Sequence, residues 1–366
     1  MILNFLSLLL MFWLPEVELE PRDATMLFVG DAMQHTPQIK SARLADGSFD
    51  YSPCFQYIQS QISDADFAVA NLECPLGGKP YTGYPRFSAP DEFAVALQTV
   101  GFDLLQTTNN HAMDRGDAGA LRTIAVLDSI GMPHVGTCKR TADGDFADAP
   151  YIAKVGAYTV AFFAYTYGTN GIPVKNKDLQ VNLIDMEKMA GDISHARGTG
   201  ADFVCVMVHW GIEYMTRESS EQRDLANFLL SEGVDIIVGT HPHVVQPMEI
   251  RFNPVTGRNA LIIYSLGNFI SNQNDTNSRG GALARVTLGV ENHMPVIKSA
   301  ECDLFFVQKP NGKDSNYRIV PVISPELLGN ESKAQYSGFL KNAETLFERY
   351  NKYVPLVKLP ADTIPK

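Results

Sequence analysis

The sequence predicts an α/β protein whose C-terminal part is β-rich, and three observations carry that reading. Between residues 26 and 137, and again from 185 to 240, short apolar runs alternate with segments whose apolar residues recur at helical spacing. From 246 onward, strand-like runs follow one another without helices between them. Polar residues recur where the apolar runs end: Asp31, Asn71 and Glu73, Asn109-Asn110-His111, His209, His241 and His243, and Asn268. Imidazoles, carboxylates and amides gathered at the tips of buried strands are the makings of a metal site.

Taken in order, Met26-Leu27-Phe28 opens the first strand and runs into Val29-Gly30-Asp31. The second strand, Phe67-Ala68-Val69-Ala70, leads into Asn71-Leu72-Glu73. Residues 91–101 predict a helix, with Phe93, Ala94, Leu97 and Val100 on one face and Gly101 as its stop. A strand over 102–108 precedes Asn109, and 116–131 repeats the helical spacing with Leu121, Ile124, Ala125 and Leu127 between two glycines. Residues 151–167 read as two strands joined around Gly156, a hairpin at a sheet edge. An exposed loop is expected over 168–180 and a helix over 185–197, leading to the strand that ends in His209. Ser219-Ser220-Glu221-Gln222 is a capping box for a helix that Gly233 closes, and Ile236-Ile237-Val238 is a buried strand. Runs at 248–252, 261–265, 283–290, 304–307 and 318–323 then predict a mainly antiparallel region, and 332–352 a terminal helix.

Composition narrows the class. With 366 residues, 45% hydrophobic and 19% charged, the chain can bury a full core. Its 30 basic residues against 41 acidic give a net charge of −11, and no basic run exists, so nucleic acid is excluded as a partner. The five cysteines are widely spaced without a CxxC pair, which indicates neither a disulfide framework nor a zinc ribbon. Residues 2–14 form an apolar run of signal-peptide length, too short to span a bilayer comfortably. It lacks a preceding Lys or Arg and an Ala-x-Ala site, which leaves a buried first element as the alternative. The expected organisation is residues 1–22 as signal peptide or N-terminal anchor, 23–330 as one domain, and 331–366 as helix and tail. An exported, envelope-associated protein touches membrane only through the first of these.

The chemistry can be read tip by tip. His241 and His243 flank Pro242 and converge on one cavity either in a turn or along a strand face. Asp31 is placed to ligate a metal or to cap the next helix. Glu73, two residues after Asn71, is a carboxylate able to bridge two cations. Asn110 offers an amide oxygen, and His111 beside it points toward a substrate as a general acid. Asp114 either orients that imidazole or caps the helix at 116, and Arg86 in Tyr84-Pro85-Arg86-Phe87 is a candidate contact for an anion.

These residues together resemble a known family. Gly30-Asp31, Asn71-Leu72-Glu73, 109–116, His209-Trp210-Gly211, Gly239-Thr240-His241-Pro242-His243 and Tyr264-Ser265-Leu266-Gly267-Asn268 resemble the CapA-type poly-gamma-glutamate capsule biosynthesis proteins, which are similar to calcineurin-like metallophosphatases. The resemblance covers about residues 26–272 and implies a four-layer α/β/β/α sandwich with the site at the strand ends. It implies Glu73 as bridging carboxylate, Asn110, His209 and His241 as ligands of one metal, and Asp31 and His243 as ligands of another. It also implies His111 as the catalytic histidine; Asp114 is read beside it as its catalytic partner, and Arg86 and Asn268 as candidate substrate contacts. The chain departs from the metallophosphatase pattern at Asp31-Ala32-Met33, where those enzymes place Asp-x-His. Thioether is a poor ligand for hard divalent cations. One tightly held divalent metal (Mn, Zn, Fe, Mg or Ca) is therefore expected, with a weak exchangeable ion or none on the Asp31 side. Two functions follow from the resemblance. One is a metal-dependent hydrolase or transferase acting on a phosphoester or a gamma-glutamyl amide in an anionic polymer. The other is a non-catalytic accessory of polymer synthesis or export that works with capsule-synthesis membrane proteins.

Overall fold

The computed structural model describes residues 22–143, 146, 150–311, 315–359 and 362, so the apolar run at 2–14 and the last residues of the tail lie outside the described residues. The first strand is Ala24–Ala32 (β1), followed by helices Thr36–Ala42 (α1), Ser52–Phe55 (α2) and Gln59–Ser63 (α3) and by strand Phe67–Leu72 (β2). Helix Asp91–Val100 (α4) stops as its glycine signal predicts: Gly101 takes φ +117° and returns its N–H to the carbonyls of Gln98 and Leu97. Strand Leu104–Gln106 (β3) is shorter than expected, because its pairing with β2 ends at Gln106. Helix Gly116–Ser129 (α5) and strands His134–Val135 (β4) and Thr137–Lys139 (β5) complete the first half.

The hairpin is Tyr151–Val155 (β6) with Tyr158–Thr166 (β7), and only β6 lies at the edge. A short strand, Leu179–Val181 (β8), forms at the end of the stretch expected to be loop and pairs with β5. Helix Met186–Gly198 (α6), strand Phe203–His209 (β9), helix Ser220–Ser231 (α7) and strand Ile236–Thr240 (β10) follow. The capping box at α7 is present: the Ser219 hydroxyl accepts from the Gln222 N–H, and the Gln222 amide oxygen accepts from the Ser219 N–H. The remaining elements are Met248–Asn253 (β11), Arg258–Ile263 (β12), Asn268–Ile270 (β13), Gly280–Glu291 (β14), Met294–Gln308 (β15), Arg318–Pro321 (β16) and helix Lys333–Tyr350 (α8).

Two sheets hold these strands. The first runs β16-β15-β14-β1-β2-β3-β4, with β13 added beside β1, and the second runs β11-β12-β10-β9-β7-β6. The C-terminal strands are thus shared between both sheets. β14 to β16 are antiparallel and continue the first sheet from β1, whereas β12 joins β10 in parallel and only its partner β11 is antiparallel. Sequence pattern registers a run's length and apolarity, but its partner is chosen by non-local packing.

Alternation along the second sheet shows why helices cover its outside. Phe163, Val204, Val206, Ile237 and Ile262 pack with Met189 and Ile193 of α6 and with Ala226 and Leu229 of α7. Their neighbours in the strands, Phe162, Cys205, Met207, Val238 and Leu261, face the other way and join the core that contains Met26, Phe28 and Val69 of the first sheet. Phe67 stacks on Phe162 across this interface at 5.0 Å. Phe93, Ala94 and Leu97 of α4, with residues of α2 and α3, close the far face of the first sheet. The result is the α/β/β/α sandwich expected from the family resemblance. Each large side chain buried in it contributes roughly 1.5–3 kcal/mol. Among the described residues, no helix is long and apolar enough to cross a membrane.

Candidate metal centre

β1, β2 and β3 of one sheet and β9 and β10 of the other run in parallel within their sheets, so their C-terminal ends open on common ground. Asp31 lies at the end of β1, registered with Asn71 of β2 on one side and Asn268 of β13 on the other. Gly30 makes this possible. A Cβ there would sit 1.8 Å from the Gly267 carbonyl oxygen, to which Asp31 donates its own N–H at 3.0 Å.

The second sheet delivers the imidazoles. His209 ends β9, level with Thr240 at the end of β10. After Thr240 the chain leaves the strand: His241 and His243 take φ of +100° and +59°. The turn, and not a continuing strand, therefore brings both rings inward, at a conformational cost of roughly 1–3 kcal/mol for each strained residue. The His241 N–H reaches Asp31 Oδ2 at 3.3 Å, which ties the turn to the opposite sheet.

Glu73 is at the middle of the cluster. It is fully buried, and neither carboxylate oxygen has a hydrogen-bond partner. Its Oε1 lies 3.6 Å from His209 Nε2 and 3.8 Å from His243 Nε2. Burial, followed by the negative charge of Asp31, pushes its carboxyl well above the usual range. Burial likewise holds His209 well below its ordinary value, reinforced by His241 and His243, and takes His241 down to about 3. Asp31 goes the other way. Burial raises it, but the His243 bond and charge and the Asn71 bond outweigh that, so it is lowered. His209 and His241 are therefore neutral, with lone pairs for a cation.

The ligating atoms of Glu73, His209 and His241 lie within 4.8 Å of one another, and so do those of Asp31, Glu73 and His243. Glu73 is common to both groups. Asn110 joins the first group through its Oδ1, 3.0 Å from His209 Nε2. The donor set fits a divalent cation on a further ground: two orphaned carboxylate oxygens and the equally orphaned His241 Nδ1 are all buried.

Outer partners hold the rings in place. The Thr240 hydroxyl meets His209 Nδ1 at 2.9 Å and can give or take the hydrogen, leaving Nε2 to face Asn110 and Glu73. His243 Nδ1 lies between Asp31 Oδ2 at 3.0 Å and Asn268 Oδ1 at 3.1 Å, so it carries a hydrogen, and Nε2 is the nitrogen turned toward Glu73. Asn71 donates to Asp31 at 2.8 Å and accepts from the Asn109 amide at 3.1 Å. His111 Nδ1 is 2.8 Å from Asp114 Oδ2, which also accepts the Phe87 N–H at 2.8 Å. Phe87 stands edge-on to the His111 ring at 4.7 Å.

Of the residues singled out in the sequence, Asp31, Glu73, Asn110, His209, His241 and His243 come together, with His111 and Asp114 as an adjoining pair. The helix-cap alternatives fail, because the caps are His35 for α1 and Arg115 for α5. His35 is no substitute for the absent histidine: its Nδ1 accepts the Asn272 N–H at 3.3 Å, and its ring packs edge-on to Phe87 at 5.1 Å. Arg86 is exposed at the rim and shares a surface hollow with Asp114. Asn268 is fully buried, with its amide nitrogen committed to Gln273 and to the Ser278 carbonyl, so its position orients His243. Sequence reasoning overlooked Thr240 and Tyr167, whose ring covers His241 at 4.7 Å. Neither carries a signal in the chain, since a strand-end threonine and a loop tyrosine are ordinary.

The sequence profile of the family described as bacterial capsule synthesis protein PGA_cap matches residues 25–273. The PGA biosynthesis protein CapA of Bacillus subtilis (strain 168) is 31% identical over 268 residues, covering 71% of this chain and 67% of that protein. The capsule biosynthesis protein CapA of Bacillus anthracis is 29% identical over 283 residues, covering 74% and 65%. This chain thus spans about two thirds of the length of the curated relatives it matches. Among solved structures, the NAD nucleotidase NadN of Haemophilus influenzae shares the fold, with a TM-score of 0.51 over 94% of this chain and 65% of that one, at 12% identity.

Proposed function

The chain belongs to the bacterial capsule synthesis family described as PGA_cap, and from that membership we propose that it is a cell-envelope protein of capsule or poly-gamma-glutamate biosynthesis with a metal-dependent hydrolase-type site. The observation that carries the reading is Glu73, buried among three histidines with both oxygens unpartnered. Without a cation, that carboxylate is a large unmet desolvation cost. Glu73, Asn110, His209 and His241 would hold one divalent cation tightly, and a set of two imidazoles with two oxygens suits Mn, Zn or Fe better than Mg or Ca. Asp31, Glu73 and His243 would hold a second one weakly, because the chain has Met33 at the position where the metallophosphatase pattern has a histidine. When bound, the cation supplies Lewis-acid polarisation of a phosphoryl or acyl oxygen.

The chain's own residues supply proton transfer and orientation. Asp114 holds the Nδ1 hydrogen of His111, so Nε2 is the nitrogen that protonates a leaving oxygen or nitrogen. Asn71 and Asn268 keep Asp31 and His243 aligned. Arg86 at the rim attracts an anionic polymer, whether its scissile bond is a phosphoester or a gamma-glutamyl amide. The working place is extracytoplasmic, with residues 1–22 as signal peptide or anchor and membrane proteins of capsule synthesis as partners.

Hydrolysis of a generic phosphodiester and of gamma-glutamyl peptides by metal-loaded wild type and His111→Ala tests this reading. Turnover should fall by about 10²–10⁴-fold in the variant. Tight metal binding with no His111-dependent turnover of either substrate would replace the hydrolase with a polymer-binding accessory.

A further inference from the structure

The loop after His209 carries a carboxylate that the assignment above leaves unused. Glu213 is exposed, yet its carboxylate oxygen lies within 4.8 Å of ligand nitrogens on the buried His241 and His243. It makes no ion pair among the described residues. Taken as a sequence, a glutamate in Trp210-Gly211-Ile212-Glu213 reads as solvated surface. Three structural facts argue otherwise.

The first is how the loop is fastened. Tyr214 takes φ +64° and donates its N–H to the Pro242 carbonyl at 2.8 Å, bonding to the residue between the two histidines. The Met215 and Arg217 carbonyls both accept from the Gln246 amide, at 2.7 and 3.2 Å, and the buried Gln246 is held in turn by Gln222 at 2.9 Å. Loop and histidine turn therefore form one braced unit, so the approach of Glu213 to the imidazoles is built into the backbone. The second is that Glu213 reaches the two imidazoles of the turn that carries the buried, unpartnered His241 Nδ1. The third is the gap on the Asp31 side. Met33 is packed in the apolar core and offers no hard donor, so that group has only Asp31, Glu73 and His243. His243 belongs both to that group and to the one containing Glu213.

We propose that Glu213, beside His243, is a further ligand of the weaker second cation and supplies the hard donor that Met33 does not. The proposal rests on the metal-dependent reading of the site. An exposed carboxylate must shed water to bind and is free to withdraw again, which gives a second position that loads at high cation concentration and exchanges readily.

Calorimetric titration of the chelator-treated full chain with Mn²⁺, together with metal counting after dialysis, tests it in wild type, Glu213→Gln and Glu73→Gln. Wild type should show one tight and one weaker binding event. Glu213→Gln should weaken the second by about 10- to 100-fold and leave the tight one in place. A second event unchanged in Glu213→Gln, or a wild type with one event alone, overturns the role of Glu213 while leaving the tight site standing. A wild type that binds no Mn²⁺, like Glu73→Gln, overturns the metal-dependent reading itself and this proposal with it.

Discussion

With no solvent contact and no hydrogen bond to either oxygen, Glu73 burdens the metal-free fold. Replacing the carboxyl by an amide of the same shape, which needs no proton to be neutral, should therefore relieve it. In the presence of chelator, Glu73→Gln is expected to be more stable than wild type by about 1–3 kcal/mol at neutral pH. Added Mn²⁺ should raise the melting temperature of wild type and leave that of the variant unchanged. Urea unfolding with and without metal measures both effects. If the variant is less stable than wild type under chelation, Glu73 is held by favourable contacts and is not a ligand awaiting its cation. The same residue shows what a sequence can and cannot tell. Its place at a strand end was legible from the apolar run before it. That its oxygens are left unpaired was not, because this depends on three imidazoles contributed more than 130 residues later.

At the scale of elements, the meeting of β1 with β13 decides whether the site closes. Gly30→Ala would drive a methyl group into the Gly267 carbonyl and part the two strands, separating Asp31 from Asn268 and His243. The expected loss is about 3 kcal/mol of stability together with the metal-induced gain in melting temperature. Gly191→Ala in α6, where a Cβ meets open space, is the control and should gain about 0.5–1 kcal/mol. Thermal unfolding of the two variants side by side separates close approach from mere loss of glycine, and equal effects would refute the argument. Helices α4, α5, α6, α7 and α8 were legible because spacing, caps and stop glycines are local. β13 was not, since three residues have no period and its extent is set by pairing with β1. The division of the C-terminal strands between two sheets was hidden for the same reason. The turn at His241 and His243 stayed open as well, because one positive φ is chosen by the tertiary contact with Asp31.

Over the whole molecule, the segment after α8 stitches the two sheets together. Lys352 exchanges backbone bonds with β11, donating to Met248 at 3.0 Å and accepting from Ile250 at 2.9 Å. A few residues on, Cys302 of β15 donates to Pro355 at 3.0 Å and accepts from Val357 at 2.7 Å. Asp303 anchors the end of this strap by accepting the Leu359 N–H at 2.9 Å and the Leu304 N–H at 2.7 Å. Burial raises its carboxyl from 3.8 to about 6, with the two N–H bonds opposing but not cancelling the rise. Between these values the folded chain holds the proton and the unfolded chain has released it. The contribution of Asp303 is therefore full below pH 4 and is lost as pH climbs through 6, a decline of about 3 kcal/mol at roughly 1.4 kcal/mol per pH unit. Asp303→Asn has no such proton to lose. Urea unfolding at intervals from pH 4 to 7, with chelator present throughout, should show wild type losing stability relative to the variant across that window and running parallel to it above pH 7. Curves that stay parallel from pH 4 upward would mean that the strap is closed by its backbone bonds alone and that the Asp303 carboxyl titrates as it does in the unfolded chain.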